Sequence, residues 1–365
     1  MNNTSSITIK DVAQQAGVSV GTVSRVLNGY HNIKPGNASR VRQVVEKLGY
    51  RKCNVASNLA STRHGFRNMT GNIGVLLPRM TVQWLDHPLI SVYMGGIEQA
   101  CTEHGFHPMI EFLSVDEMAE VPRFIKENKV DGYLIKGAEP TTGHLRELMR
   151  DLPIVGMNMH EPGLCIPQVM SDDRAAGWQV AAYLWGQGHR RIGFVASDDH
   201  HRMFIHRQQG VEEFLRLHNA EDKALITRSK HMGQYSGVVP ELTPPDMHDV
   251  LDAFWSLPTD RRPTAIIVAN DWSAIGMYEA LSARGIDVPG QVSVIGFDNV
   301  VSVCCSLKPA LTTYDIPIRL AAYTAAKLLL QLIDSPNRFI SPGIQMISGQ
   351  LILRDSVRRV VPDEQ

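Results

Sequence analysis

No run of apolar residues in this chain reaches membrane-spanning length, so a helical membrane anchor is not expected. Met1 to Ser6 are polar and uncharged, and no secretory signal is read in them. Cysteine is scarce. The five thiols (Cys53, Cys101, Cys165, Cys304 and Cys305) form neither a C-x-x-C pair nor an even framework. A disulfide scaffold and a zinc ribbon are therefore excluded, and reduced thiols in a cytoplasmic setting are expected. There is no Gly-x-x-x-x-Gly-Lys cradle, no Gly-x-Ser-x-Gly elbow and no cysteine in an activating context. The segment Asp198-Asp-His-His-Arg-Met-Phe-Ile-His206 is rich in acids and histidines. It lacks the i, i+4 histidine pair with a glutamate that a zinc hydrolase needs, so it reads as a solvated loop. No catalytic residue, metal or cofactor is expected.

Acidic side chains are also missing from one place. Residues 1–67 hold ten Lys and Arg against two Asp and Glu, whereas the remainder holds 26 against 35. The near-neutral total hides a basic head on an acidic body. A basic head favours phosphate contact through counterion release. With 365 residues there is room for two or three domains.

Within the head, Val12, Ala13 and Ala16 share one face of a short helix, and Gly17 follows where a helix would stop. Ser19 stands at the next N-cap position, its hydroxyl able to accept a free backbone N–H. Val23, Val26 and Leu27 repeat the spacing, giving two helices joined by a tight turn. Val41, Val44, Val45 and Leu48 form a third apolar set that closes a three-helix core. The second helix is left with an outward face of Val20, Gly21, Ser24, Arg25 and Asn28. Small, hydroxyl and guanidinium groups suit a helix pressed into a DNA major groove.

The ungapped stretch from Thr8 to Asn28 resembles the opening signature of the LacI/GalR (lactose-repressor) family of bacterial transcription regulators. That resemblance implies that Val20, Gly21 and Arg25 face base edges, while Thr22, Ser24 and Asn28 lie nearer the phosphates; Thr8 and Ser19 are added to the DNA-binding set. Arg25 is the candidate for a bidentate guanine contact, worth roughly 1–3 kcal/mol of discrimination. Lys34-Pro35-Gly36 departs from the Ser cap usual in the family, so the third helix is expected to start near Asn37. The next segment, 51–69, is polar, with good helix formers around Val55–Ala60. The resemblance implies a hinge helix there, with Val55, Ala56 and Leu59 in the positions that wedge the minor groove. Lys52 and Cys53 stand where the family has Pro-Asn.

From Gly71 onward, short apolar runs alternate with amphipathic stretches. Ile73–Leu77, Pro108–Phe112, Gly132–Ile135 and Ile154–Met157 read as strands; Leu89–Glu103, Met118–Asn128 and His144–Arg150 read as helices. Around Ser171 the alternation restarts. A helix to Trp185, strand Ile192–Ala196, helices Phe204–Leu217 and Met247–Trp255, strand Ala265–Ala269, helix Trp272–Arg284 and strand Val292–Phe297 follow. Helix Ile318–Leu332 is expected to recross to the first half and Gln350–Leu353 to return to the second. Two β/α halves imply two doubly wound parallel sheets with a cleft at the carboxyl ends of their strands. Gly188–Ile192, Pro263–Asp271, Val292–Asp298, Pro309–Thr313 and Leu351–Ser356 extend the family resemblance almost to the end. It implies a two-lobed core of the type I periplasmic-binding-protein kind. The expected organisation is a helix-turn-helix domain at 1–50 and a hinge at 51–69. One lobe takes 70–172 and 316–345, the other 173–315 and 346–358. Few residues follow Ser356, so a symmetric homodimer is expected rather than a tetramer, reading an inverted-repeat operator.

Polar residues at strand ends mark the cleft. Asn270 follows one strand and Asp298 another; Arg207, opening a helix three residues before Gly210, resembles the family's ligand-binding arginine, and Glu161, just beyond Ile154–Met157, lies near another of its contact positions. By the family resemblance Tyr235 takes the place of a ring-stacking aromatic, and Trp84 and Arg79 are added from the loop after the first strand. Asp271 is read as a helix N-cap rather than a ligand contact. Carboxylates accepting from neighbouring hydroxyls, a guanidinium fork and an aromatic face suit a sugar or related polyol. The expected function is an effector-controlled DNA-binding regulator, most simply a repressor. The alternatives are a purine or nucleoside effector, an activator and, more remotely, a sugar-binding protein without DNA affinity.

Overall fold

The computed structural model describes residues 8–27, 33–48, 69–78, 80–113, 121–136, 152–159, 166–196, 202–220, 224–228, 244–335 and 343–361. The chain divides into two units, Met1–Thr70 and Gly71–Gln365.

The first unit is a three-helix head. Helix α1 (Ile9–Ala16) opens at Thr8, whose backbone N–H and hydroxyl both donate to Asp11 at 2.7 Å. It ends at Gly17, which adopts φ 63°, a left-handed conformation in which only glycine is free of a Cβ clash. Helix α2 (Val20–Leu27) is capped by Ser19, whose hydroxyl oxygen accepts from the Thr22 N–H at 3.2 Å. Helix α3 (Pro35–Leu48) begins two residues before the expected Asn37. Proline at the first helical position loses no hydrogen bond, because that N–H has no intrahelical partner in any case. The Lys34 carbonyl accepts from Asn37 and Ala38 and closes the first turn. Val12, Ala13, Ala16, Val23, Val26 and Val41 are buried together at the centre.

The second unit holds two six-stranded sheets. The first contains β1 (Asn72–Pro78), β2 (His107–Leu113), β3 (Gly132–Lys136), β4 (Ile154–Met157), β5 (Gln168–Ser171) and, from far along the chain, β11 (Ile344–Ile347). Its order is β11-β5-β4-β3-β1-β2, and every pairing is parallel. Helix α4 (Pro88–His104) packs beside α11 (Ile318–Asp334), and α11 also lies on β3, β4 and β5. A single turn, α5 (Arg123–Lys126), stands where a helix from Met118 to Asn128 was expected. The Glu111 carboxylate accepts from the Arg123 and Phe124 N–H groups and fixes its start. The expected helix at 144–150 lies outside the described residues.

The second sheet contains β6 (Ile192–Ala196), β7 (Ala224–Arg228), β8 (Ala265–Val268), β9 (Ser293–Phe297), β10 (Thr312–Asp315) and β12 (Gln350–Ile352). Its order is β12-β10-β9-β8-β6-β7, parallel except for β12, which runs antiparallel to β10. Helices α6 (Asp173–Gly186), α7 (Arg202–Leu217), α8 (His248–Trp255), α9 (Asp271–Ala283) and α10 (Val301–Ser306) belong to this lobe. The chain passes between lobes three times, after Ser171, after Asp315 and after Ile347, so α11 recrosses and the final strand returns as the sequence implies. Buried apolar runs such as Ile73–Leu77 and Ala265–Val268 explain the parallel strands, since both sheet faces are covered. Strands β5, β7, β10 and β11 escaped the sequence reading. Gln168–Ser171 and Thr312–Asp315 are short and polar, yet almost wholly buried. Among the described residues no helix is long and apolar enough to cross a membrane.

Candidate functional site

In the head, Val23 and Val26 turn inward and leave the opposite face of α2 to solvent. Val20 is 42% exposed, and Gly21 and Arg25 are also exposed, with Thr22 and Ser24 half-buried beside them. Lys10, Arg25, Lys34, Arg40, Arg42 and Lys47 are exposed cations on the same small unit. Ser19 and Thr22 share a hydroxyl–hydroxyl bond of 2.9 Å. The Thr8 hydroxyl is committed to Asp11, and these bonds hold the Asp11 carboxyl below its usual range. The structure thus gathers Val20, Gly21, Thr22, Ser24 and Arg25 on one short helix. Asn28, Val55, Ala56 and Leu59 lie outside the described residues.

The second candidate site lies in the cleft between the two lobes, and its centre is Arg207. Helices α6 and α7 cross so closely that a Cβ at Gly177 would strike the Arg207 carbonyl, and one at Gly210 the Arg174 carbonyl. That crossing buries Arg207 to 1% exposure. Its fork is fully used. Nε donates to Asp173 Oδ1 at 2.8 Å, Nη1 to the Ala269 carbonyl at 2.6 Å and Nη2 to Asp298 Oδ1 at 3.0 Å. The Phe297 ring lies 4.8 Å from the guanidinium carbon. Burial disfavours the Arg207 charge, but Asp298 and Asp173 outweigh it and hold the guanidinium above its ordinary pKa. Burial raises the Asp298 carboxyl, opposed by Arg207. Asp298 also sits at φ 102°, a strained backbone for a residue with a Cβ, and its N–H donates to the Tyr314 carbonyl.

From this centre a hydrogen-bonded relay runs into the first lobe. Ser171 Oγ donates to Asp173 Oδ2 at 2.8 Å, and the Ser171 N–H donates to Asn158 Oδ1 at 3.0 Å. Asn158 Nδ2 then donates to the Tyr93 hydroxyl at 2.7 Å. Lys136 Nζ lies over the Tyr93 ring, 4.5 Å from its centre. Burial lowers the Lys136 ammonium to about 8. Burial, followed by the Lys136 charge, lowers His87 to about 4. The charges of Asp298, Asp173 and Arg207 all act on Tyr93, so both lobes face one cleft.

The sequence-predicted cleft residues fall into three groups. Arg207 and Asp298 are in direct contact. Asn270 stands close by, but its side-chain oxygen accepts from the Ser273 N–H at 2.8 Å and caps α9. Asp271 is therefore not the N-cap. It is the first residue of the helix, fully buried, accepting from Thr313 Oγ1 at 2.6 Å, the Val300 N–H at 2.8 Å and Cys304 Sγ at 3.1 Å. Burial, reinforced by Asp298, raises it to about 7. Trp84 is 8% exposed in a 3₁₀ turn (Val82–Asp86), its ring 5.3 Å from that of His87. Arg79, Glu161 and Tyr235 lie outside the described residues. Sequence reading missed Tyr93, Lys136, Asn158 and Asp173. Lys136 ends β3 and Asn158 follows β4, so the strand-end rule that found Asp298 covers them too. Tyr93 lies inside a helix and carries no such signal, while Asp173 follows β5, a strand the sequence reading did not find. Among the described residues no cluster of three or more side chains suits a metal.

Two family profiles match the chain: "Bacterial regulatory proteins, lacI family" over residues 8–52 and "Periplasmic binding protein-like domain" over residues 181–357. Catabolite control protein A of Priestia megaterium is 28% identical over 96% of this chain and 99% of its own length. The lac repressor dimer bound to operator and the anti-inducer ONPF superposes with a TM-score of 0.76 at 21% identity, covering 97% of this chain and 100% of that one. The transcriptional regulator CelR–cellobiose complex gives a TM-score of 0.65 at 23% identity, over 96% and 99%.

Proposed function

We propose how this chain, which belongs to the LacI family of bacterial regulatory proteins, reads its operator and senses its effector. It is a DNA-binding transcription regulator controlled by a small molecule, not an enzyme. As a homodimer in the cytoplasm, it places one α2 in each half-site of an inverted repeat. Arg25 forks onto a guanine, Val20 and Gly21 approach neighbouring base edges, and Thr8, Ser19, Thr22, Ser24 and Asn28 serve phosphates. Val55, Ala56 and Leu59 enter the minor groove at the centre of the site. The lac repressor dimer on its operator supports this arrangement.

The effector is a sugar or sugar derivative, and its binding releases or strengthens repression by changing how the lobes close. Arg207, Asp298 and Asn270 take its hydroxyls, with Glu161, Tyr235 and Trp84 completing the set. The observation that carries this reading is the relay from Tyr93 to Asp298. It places buried, hydrogen-bonding carboxylate and guanidinium groups from one lobe opposite polar groups of the other. The cellobiose held by CelR is a sugar ligand on the same fold. Effector and operator are then linked, each changing the other's affinity by the same factor, typically ~1–3 kcal/mol.

A thermal-shift screen of the purified protein against sugars, polyols, sugar phosphates and nucleosides tests the effector. A ligand at 100 times its Kd adds about 2.7 kcal/mol of stability, a visible shift in Tm. A sugar hit that disappears in Asp298→Ala supports the reading. A response confined to nucleosides replaces it with a base-binding cleft.

A further inference from the structure

The two walls of the cleft differ in hydrogen-bonding sense. On the second lobe stand Asp173 and Asp298, and both hold Arg207, so each of the three nitrogens of that fork already makes one bond within the protein. Both Asp173 oxygens are taken, by Arg207 and Ser171, so the carboxylate this wall offers an incoming molecule is that of Asp298, suited to hydroxyl donors. The first lobe presents the opposite. Because Asn158 Nδ2 donates to Tyr93, the tyrosine oxygen accepts and its own proton is left to donate. His87 is neutral, and its Nδ1 accepts from the Leu89 N–H at 3.3 Å, which puts its proton on Nε2 as a further donor. Lys136 is half-buried at the end of β3. It lies on the Tyr93 ring and makes no ion pair among the described residues. Of the described side chains around it, Tyr93 and His87 are both uncharged at neutral pH. An ammonium withdrawn from water without a carboxylate is costly to keep, and a bound anion would compensate it.

We infer that the effector is an anionic sugar derivative, a sugar acid or sugar phosphate, whose hydroxyls face Asp298 and whose negative group is held by Lys136. This rests on the sugar reading of the cleft and adds the charge of the ligand and the residue that selects it. Lys136 is the specificity-determining group. A charge-assisted bond from a half-buried ammonium corresponds to roughly tenfold to hundredfold in affinity.

The test is isothermal titration calorimetry on the full chain with matched sets: glucose, gluconate, glucuronate and glucose 6-phosphate, and the same for galactose and ribose. The expected result is that an anionic member binds at least tenfold tighter than its neutral parent. Lys136→Met removes that preference while leaving the neutral sugar within about twofold, Lys136→Arg keeps it, and Asp298→Asn weakens both. Circular dichroism of each variant verifies the fold. Equal or tighter binding of the neutral sugar, or an anion preference that Lys136→Met leaves intact, overturns the inference while the sugar reading survives. Silence of every set overturns both, as does binding confined to nucleosides.

Discussion

The outward face of α2 and the cleft relay are built on opposite plans. The first is assembled from Val20, Gly21, Thr22, Ser24 and Arg25, within six consecutive residues of one short helix, and none of these is buried. The second joins partners 65, 34 and 91 residues apart, and nearly every group in it is buried and holds another. A face of the first kind can change its specificity without disturbing the fold. A site of the second kind cannot: its recognition groups are also part of what holds the lobe together.

Substitution of the two arginines probes this difference most sharply. Arg207→Ala leaves Asp173 and Asp298 buried without their counter-ion and should cost about 3–5 kcal/mol in urea unfolding, along with effector binding. A loss below about 1 kcal/mol would show that the cleft is as separable as the head. Acid comes next. His189 is fully buried, close to Thr264 Oγ1 at 3.0 Å and the Arg358 carbonyl at 3.2 Å, and burial lowers it from 6.5 to about 4. A base whose folded pKa is depressed contributes stability above its unfolded pKa and loses it as pH falls through the folded one. The core should therefore lose about 3 kcal/mol from this group between pH 6.5 and 4. In urea titrations the gap between wild type and His189→Asn narrows over that window; a constant gap contradicts the assignment. The described part of the head contains no histidine. Its Asp11, held low by Thr8, gives up its contribution only below about pH 3.8, so the head should outlast the His189 transition.

Arg25→Ala should leave unfolding within about 0.5 kcal/mol of wild type. By fluorescence anisotropy it should cost roughly 1–3 kcal/mol in operator affinity against little change on random DNA. Equal loss on both would reassign Arg25 to phosphate. The smallest effects come from the two caps. Ser19→Ala in the head and Asn270→Ala in the core should each cost about 1 kcal/mol. If Asn270→Ala also weakens the effector beyond what its stability loss explains, its amide contacts ligand as well as capping α9.

The same contrast decides what could be read from the sequence. Head elements follow from spacing over a few residues, and the one boundary that moved, from Asn37 to Pro35, did so because proline is at home in a first turn. Asp298 was found because a strand end announces it, and Arg207 because its spacing from Gly210 resembles that of the family's ligand-binding arginine. Tyr93 was not, since a residue inside a helix reveals its partner only once the lobes are assembled, and Asp173 was missed together with β5, the strand before it. Asn270 and Asp271 exchanged roles for a similar reason: either can cap, and only the approach of Val300 and Thr313 draws Asp271 inward. Strands β5 and β10 were hidden by polar side chains that partners outside each strand satisfy: Ser171 by Asp173, Thr313 by Asp271 and Thr312 by the Arg354 N–H.

The late return of the chain to both sheets matters during synthesis. A ribosome delivers the head first, with its own small core complete by Leu48. Five strands of the first sheet have emerged once Ser171 is made, but the sixth, Ile344–Ile347, comes almost last, and α11, which covers three of them, little earlier. The second sheet waits for Gln350–Ile352. Until then each nascent lobe carries an open edge, and the first also bares the apolar surface that α11 will cover; these are the features that draw chaperones and invite aggregation. A stop codon between Leu48 and Ile318 would leave the head intact and neither lobe finished.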